Sequence, residues 1–561
     1  MIRELTVSER KWVEDTLDSL SLREKIGQTS IEHAARLPLP DYSEAAVSEY
    51  LETNPIGSIF LAGEVIKGDC GSAEAYKKII RAFQAKSRIP MLVAGDLEHG
   101  AGSAVASMTV FPNMMAVGAA NDDNLAYELG RCTGVEGDYI GFNWTFSPVV
   151  DVLVNWLNPI VSCRGLGSNP ECVAGLGKAI IKGMQDHGLA ACAKHFPGDG
   201  VDFRDQHICT SLNSLPEEDW WKCHGRVFQE VIDAGVYTIM LGHIALPWLE
   251  GPSEDKNRYR PATVSYRITT ELLRNRMGFK GVIISDALDM GGFTGWDSYE
   301  KRTVECFNSG TDAMLWPGSG YIGLMENALE DGTVSIEKLN DSVRRILELK
   351  VRLGLITMDR EASRASPGLH ETGSPDPEVK SSVKAISRKI AAKSITLVRN
   401  RKQLLPLKPK TLKRVLIGKM TRFTKDKEFS IDYFLGRLKD RGIEVEVLED
   451  WNPFELNKKK ETEGYSWDAF IMPFILPTHG LVNTVRPVGE SAVAIWRSQM
   501  LDGLDPIVVS MSTPFLLKDM PYLDTLVNAY SYCEDSVDML VKALFGEIRF
   551  NGCSPVDTGG W

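Results

Sequence analysis

The chain has 561 residues, 43% of them hydrophobic and 25% charged, and carries a formal net charge of -12. That length predicts two or three domains with a large core, and the composition excludes disorder, collagen and coiled coil. The acidic balance excludes a general nucleic-acid binder, which needs a basic face for phosphates, and favours a small or neutral substrate.

The opening stretch, MIRELTVSERKWVEDTLDSLSLREKIGQ, has an amphipathic helical pattern and lacks the apolar centre of a signal peptide. No run reaches the roughly 18 apolar residues of a membrane span, so no membrane association is expected and the protein reads as cytoplasmic. From residue 1 to 357 short apolar runs alternate with amphipathic stretches. The candidate strands are Gly27–Ile31, Gly57–Ala62, Met91–Gly95, Phe142–Ser147, Leu189–Ala193, Val236–Leu241, Val282–Ser285 and Ala313–Trp316. Eight such units with helices between them predict a TIM-type (β/α) barrel, closed by a helix over Ile336–Arg352. A polar, Pro- and Ser-bearing linker is expected over 358–379. A smaller doubly wound α/β sandwich follows over 380–561, opening with a helix at Lys380–Lys393. Its apolar runs are Ile395–Val398, Val415–Ile417, Ile443–Leu448, Ala469–Phe474, Ile507–Ser510 and Leu526–Tyr530. It carries no Gly-x-Gly-x-x-Gly or Walker pattern, so no nucleotide site is expected.

In a barrel the chemistry gathers at the carboxyl ends of the strands. Here the third run is followed by Asp96 and Glu98, the fourth by Asp151, the fifth by Lys194 and His195, the sixth by His243 and the seventh by Asp286. One such residue could simply cap a helix, but acids and imidazoles after five runs mark one polar rim. Past Lys194 the loop ends in Asp205-Gln206-His207. Residues two apart on an extended segment share a side, so Asp205 can hold one ring nitrogen of His207 and leave the other to move a proton. An isolated Asp-x-His is more often a solvated or structurally bonded histidine than a proton relay. A second strong stretch, GVIISDALDM over 281–290, delivers Asp286 at a strand end, where a carboxylate can act as a nucleophile if a proton donor stands opposite. The ten cysteines are scattered without a Cys-x-x-Cys pair, the usage of reduced thiols. Cys209, two residues from His207, has no second feature marking it as a nucleophile. No clustered His, Cys or acid spacing calls for a metal, and no cofactor is expected.

The run KHFPGDGVDFRDQH, residues 194–207, resembles the signature of the β-N-acetylglucosaminidases of glycoside hydrolase family 3, in which Lys-His-Phe-Pro-Gly precedes an Asp-x-His dyad at this spacing. Similar segments run through nearly the whole chain, among them Met115-Ala-Val-Gly-Ala119, Met240-Leu-Gly-His243, Pro261-Ala-Thr-Val-Ser265 and, beyond the linker, Ser394-Ile-Thr-Leu-Val-Arg-Asn400. The resemblance implies a retaining exo-enzyme that removes terminal GlcNAc from β-glycosides. Asp286 would be the nucleophile and Asp205-His207 the acid/base dyad, with Asp96, Arg164, Lys194 and His195 binding the sugar hydroxyls. Taken by themselves, Lys194 also reads as a snorkelling lysine and Arg164 as a loop-holding ion pair, while Glu98, His243 and Asp289 read as structural rim residues. A neutral imidazole as acid/base leaves inorganic phosphate admissible as an acceptor beside water. Two departures bear on substrate. His99-Gly100-Ala101 and Ser103-Ala104 stand where the family usually carries Gly-Gly-Arg and a second Arg. Asp199 and Ala287 replace a His and an acid often found there. Three rivals remain open: a β-glucosidase of the same family, a Schiff-base aldolase acting through Lys194, and a sugar-binding protein without turnover.

Overall fold

The computed structural model describes residues 2–63, 71–254, 256–356, 377–418, 431–448, 452–464, 467–476 and 480–559. Its N-terminal pattern forms two helices, Val7–Ser19 and Leu22–Gln28, each opened by a capping box, Thr6 with Glu9 and Ser21 with Glu24. The second box commits Gly27 and Gln28 to helix, so the first strand starts later than the apolar run predicts. Gly27 permits the close contact that follows, since a Cβ there would lie 2.0 Å from the Pro55 carbonyl oxygen.

Among the described residues ten strands follow in chain order: β1 (Ser30–His33), β2 (Ser58–Phe60), β3 (Leu92–Gly95), β4 (Trp144–Thr145), β5 (Cys192–Phe196), β6 (Ser211–Leu212), β7 (Thr238–Leu241), β8 (Ile244–Ala245), β9 (Val282–Ser285) and β10 (Met314–Leu315). Parallel ladders give the orders β10-β1-β2-β3-β4 and β5-β7-β9. Parallel bridges from Trp144 to Ala190, from Val149 to Lys194 and from Ile284 to Ala313 join the two arcs into a closed barrel. The pair β6-β8 lies outside that ring. Ile31, Phe60, Leu92, Trp144, Phe146, Met240 and Ile284 fill the interior, where Phe60 stacks on Phe146 at 5.6 Å. The indole of Trp144 donates to the Thr238 hydroxyl at 3.0 Å, which satisfies its one buried polar atom.

The fifth strand corrects an expectation. It spans Cys192–Phe196 instead of Leu189–Ala193, so Lys194 and His195 lie inside it, not beyond its end. Polar side chains are tolerated there because Asp96, Glu98 and Asp151 satisfy them. The closing helix Ile336–Arg352 has the predicted bounds.

Residues 357–376, which hold most of the expected linker, lie outside the described residues. The described part, Pro377–Val379, is not linker but the start of a helix, Pro377–Ser394. Val383 and Ile390 of this helix belong to the core cluster that surrounds the barrel, so burial against the first domain extends the helix toward it. The second sheet contains β11 (Thr396–Asn400), β12 (Arg414–Gly418), β13 (Glu444–Leu448), β14 (Ala469–Phe474), β15 (Pro506–Ser510) and β16 (Thr525–Asn528), in the order β11-β16-β15-β14-β12-β13. Only β11 runs antiparallel to its neighbour. Separate apolar clusters cover its two faces, as a doubly wound layer requires. Every described cysteine is a free thiol. Among the described residues no helix is long and apolar enough to cross a membrane.

The two domains meet along an apolar seam that includes Met115, Leu153, Val161, Phe515 and Tyr530. Polar contacts pin it: the Asn113 amide donates to the Tyr530 carbonyl at 3.0 Å, Ser168 N–H to the Pro555 carbonyl at 3.0 Å, and the Cys163 thiol to the Ser512 carbonyl at 3.1 Å.

Candidate active site

The carboxyl ends of β3, β5, β7 and β9, with the loops after β4 and β5, bring the sequence-predicted residues to one rim. Asp286 directly follows β9, and its main-chain N–H donates to the Leu241 carbonyl at 2.8 Å. One of its oxygens, Oδ1, accepts from Ala287 N–H at 2.8 Å, which leaves Oδ2 for other work. Burial acts to raise its pKa, but His195, His243, His207 and Lys194 outweigh burial and hold the carboxyl below the ordinary carboxylate value. Asp286 is therefore held as an anion by the charges of three nearby imidazoles and one ammonium.

Two imidazole–carboxylate pairs flank it. His195 Nδ1 donates to Asp151 Oδ2 at 2.7 Å, while Asp151 Oδ1 accepts the main-chain N–H groups of His195 at 3.0 Å and Asp199 at 2.7 Å. In the loop after β5, Asp205 Oδ1 accepts both the main-chain N–H of His207 at 2.8 Å and its Nδ1 at 2.7 Å. Asp205 Oδ2 accepts from Leu481 N–H at 2.7 Å. In both pairs the carboxylate fixes the proton on Nδ1 and turns Nε2 away from it.

A third group is held by Glu98. Lys194 Nζ lies 3.1 Å from Asp96 Oδ1 and 2.7 Å from Glu98 Oε1. Arg164 clasps Glu98 with Nε–Oε2 at 2.9 Å and Nη2–Oε1 at 2.6 Å. This bidentate geometry fixes the guanidinium plane and leaves some of its N–H groups over for a ligand. Burial acts to lower the pKa of Lys194, but Asp96 and Glu98 outweigh it and hold the ammonium above the ordinary lysine value. A Schiff-base lysine needs the reverse, a neutral amine, so the aldolase rival loses its physical basis. The side chain is buried and paired, which also removes the snorkelling reading of Lys194.

His243 is structural: Nε2 bonds the Ala287 carbonyl at 2.9 Å and Nδ1 the Thr263 hydroxyl at 3.1 Å. Asp289 pairs with Arg36 at 2.6 Å in a half-exposed position. Burial outweighs the pull of Arg204 and pushes the Cys209 thiol up, away from the reactive thiolate. Among the described residues no group of His, Cys, Asp and Glu is arranged to hold a metal ion.

Sequence reasoning missed three parts of the site. Glu98, set aside as a rim residue, is the shared acceptor of Lys194 and Arg164. Asp199 is buried with Oδ2 unpartnered; burial, and then the nearby Asp151, push its carboxyl up to about 6. The contact from Leu481 comes from the second domain.

Comparison with known proteins accords with this geometry. Residues 21–349 match the glycosyl hydrolase family 3 N terminal domain. A Cellulomonas fimi protein named beta-N-acetylglucosaminidase/beta-glucosidase is 30% identical, over 98% of this chain and 96% of its own length. Among solved structures, one described as beta-glucoside phosphorylase BglX superposes with a TM-score of 0.84 at 28% identity, covering 99% of this chain and 96% of its own. A family 3 beta-N-acetylglucosaminidase from Paenibacillus sp. str. FPU-7 shares the fold, with a TM-score of 0.80 at 24% identity over 97% of this chain and 100% of its own.

Proposed function

The chain belongs to glycosyl hydrolase family 3 and is a glycoside hydrolase, and from that premise we propose that it is a retaining exo-β-N-acetylglucosaminidase. The observation that carries this reading is the Asp205–His207 pair, an imidazole held by a carboxylate, at the same rim as the ionised Asp286. Asp286 Oδ2 attacks the anomeric carbon as the glycosidic C–O bond breaks, and the proton on His207 Nε2 passes to the leaving oxygen. In the second step His207 Nε2 takes a proton from water, whose oxygen displaces the Asp286 carboxylate from the sugar. Asp205 keeps the ring in one tautomer and stabilises the imidazolium, the role of the buried acid in a serine-protease triad. Asp96 supplies an acceptor and Arg164, Lys194 and His195 donors for vicinal hydroxyls, which are donors and acceptors at once.

A panel of nitrophenyl glycosides tests the sugar. GlcNAc should be turned over well ahead of glucose; glucose ahead of GlcNAc would replace this reading with the β-glucosidase one, for which the double name of the C. fimi relative speaks. A 2-deoxy-2-fluoro glycoside should label Asp286, and a label found only on another acid would reject the nucleophile.

A second reading, phosphorolysis, is favoured by the likeness to a structure described as a phosphorylase over the length of both chains. A carboxylate acid/base would repel phosphate by roughly 4 kcal/mol at about 4 Å and an effective dielectric near 20, whereas neutral His207 does not. In millimolar phosphate, separation of products by charge should reveal a sugar 1-phosphate; free sugar alone would leave plain hydrolysis.

A further inference from the structure

The second domain reaches the dyad directly. Leu481 N–H donates to Asp205 Oδ2 at 2.7 Å, the oxygen that His207 leaves free. Beside it, Gly480 lies against the imidazole itself: a Cβ at this position would stand 2.6–2.7 Å from Cε1, Nδ1 and Nε2 of His207. No real side-chain carbon fits at that distance, so the ring and this glycine share one space. The backbone of Gly480 lies outside the left-handed region, so its requirement for glycine is the approach to His207 and not a turn. Leu481, by contrast, holds φ at 73° with its side chain exposed. A non-glycine residue adopts that conformation only where its surroundings hold it there, and it is the conformation in which Leu481 N–H meets Asp205.

We propose that Gly480 and Leu481 are positioning residues for the acid/base, supplied by the second domain: the N–H of Leu481 anchors Asp205 and the bare face of Gly480 sets where the His207 ring can stand. This rests on the reading of His207 as the proton donor. The loop that carries Asp205 and His207 lies beyond β5, outside the barrel ladders. Its own bonds fix the ring relative to Asp205 but do not fix Asp205 against the other domain; Leu481 does. The same domain also holds the Arg164 loop, through Cys163 and Ser512. It therefore borders both the sugar-binding and the proton-transfer sides of the site.

Gly480→Ala is the test, with Gly436→Ala as control, because Gly436 lies on a second-domain helix with open space where its Cβ would go. In Gly480→Ala, kcat/KM for alkyl glycosides should fall about 10- to 100-fold and that for a dinitrophenyl glycoside, which leaves without protonation, much less. The acidic and basic limbs of its pH–rate profile should move while the thermal midpoint stays that of Gly436→Ala. Equal losses on both substrates, or wild-type rates and pH profile, would overturn the positioning role. His207→Ala separates the two readings. If it shows no leaving-group dependence, the assignment of His207 has failed; if it does while Gly480→Ala behaves as wild type, only the second-domain inference has failed.

Discussion

The two imidazole–carboxylate pairs are nearly superimposable in chemistry and differ in setting. Each carboxylate accepts the Nδ1 proton at 2.7 Å and the main-chain N–H of the same histidine. Each accepts a further main-chain N–H, from Asp199 for Asp151 and from Leu481 for Asp205. Yet His195 sits in a barrel strand with a side chain 4% exposed, whereas His207 stands on a loop with 32% exposed. A group that exchanges protons with an incoming acceptor needs access; one that only donates to a bound hydroxyl needs rigidity. The bond pattern alone does not make a proton relay. Exposure, and an anchor from another domain, are what distinguish the two pairs.

The largest effect lies between the two pairs. Asp286→Ala should lower kcat by several orders of magnitude, because the covalent route loses its nucleophile; steady-state rates on a nitrophenyl glycoside measure it. Retention of a tenth of the wild-type rate would remove Asp286 from both steps. Next, Asp205→Asn should cost about 10²–10⁴-fold in kcat by freeing the tautomer of the proton-moving ring. Asp151→Asn should mainly raise KM, by about tenfold, as one weakened hydrogen bond to the sugar would. If the two substitutions act alike, the pairs do the same job.

A smaller effect concerns Asp199, which borders the rigid pair alone. Its carboxyl is raised from 3.8 to about 6 in the folded chain. The native state is therefore unburdened below pH about 4 and loses stability as pH rises through about 6, where the buried group ionises. Asp199→Asn should stabilise the protein by about 1–3 kcal/mol at pH 8 and by about a third as much at pH 4.5, read from urea unfolding at both. A gain of the same size at both values would mean that the charge is not the cause. The smallest effect is none: exhaustive chelation should leave activity unchanged, and recovery of a chelated, inactive enzyme by zinc or magnesium would contradict a site made of side chains alone.

Much of this architecture was legible because apolar runs bounded by turns mark buried parallel strands wherever they occur. The first and fifth strands shifted for local reasons that periodicity does not weigh: a capping box at Ser21 and Glu24, and charged side chains satisfied inside a strand. The strand-end position of Asp286 and the Asp205–His207 hydrogen bond were legible because a strand end and a two-residue spacing are local. Their partners were not. Glu98 meets Arg164 across 66 positions and Asp151 meets His195 across 44. The contact from Leu481 spans 276 positions and is made by a main-chain N–H, which every residue but proline possesses, so it leaves no mark in the sequence.

The dependence of kcat/KM on leaving-group pKa, measured side by side for wild type, His207→Ala and His195→Ala, tests the division of labour most directly. His207→Ala should give a steep line, losing about 10²–10⁴-fold on alkyl glycosides and approaching wild type on dinitrophenyl ones. His195→Ala should give a line parallel to wild type and displaced downward, as lost sugar binding does. Equal slopes for the two variants would contradict the assignment of the proton to His207 and of the sugar to His195.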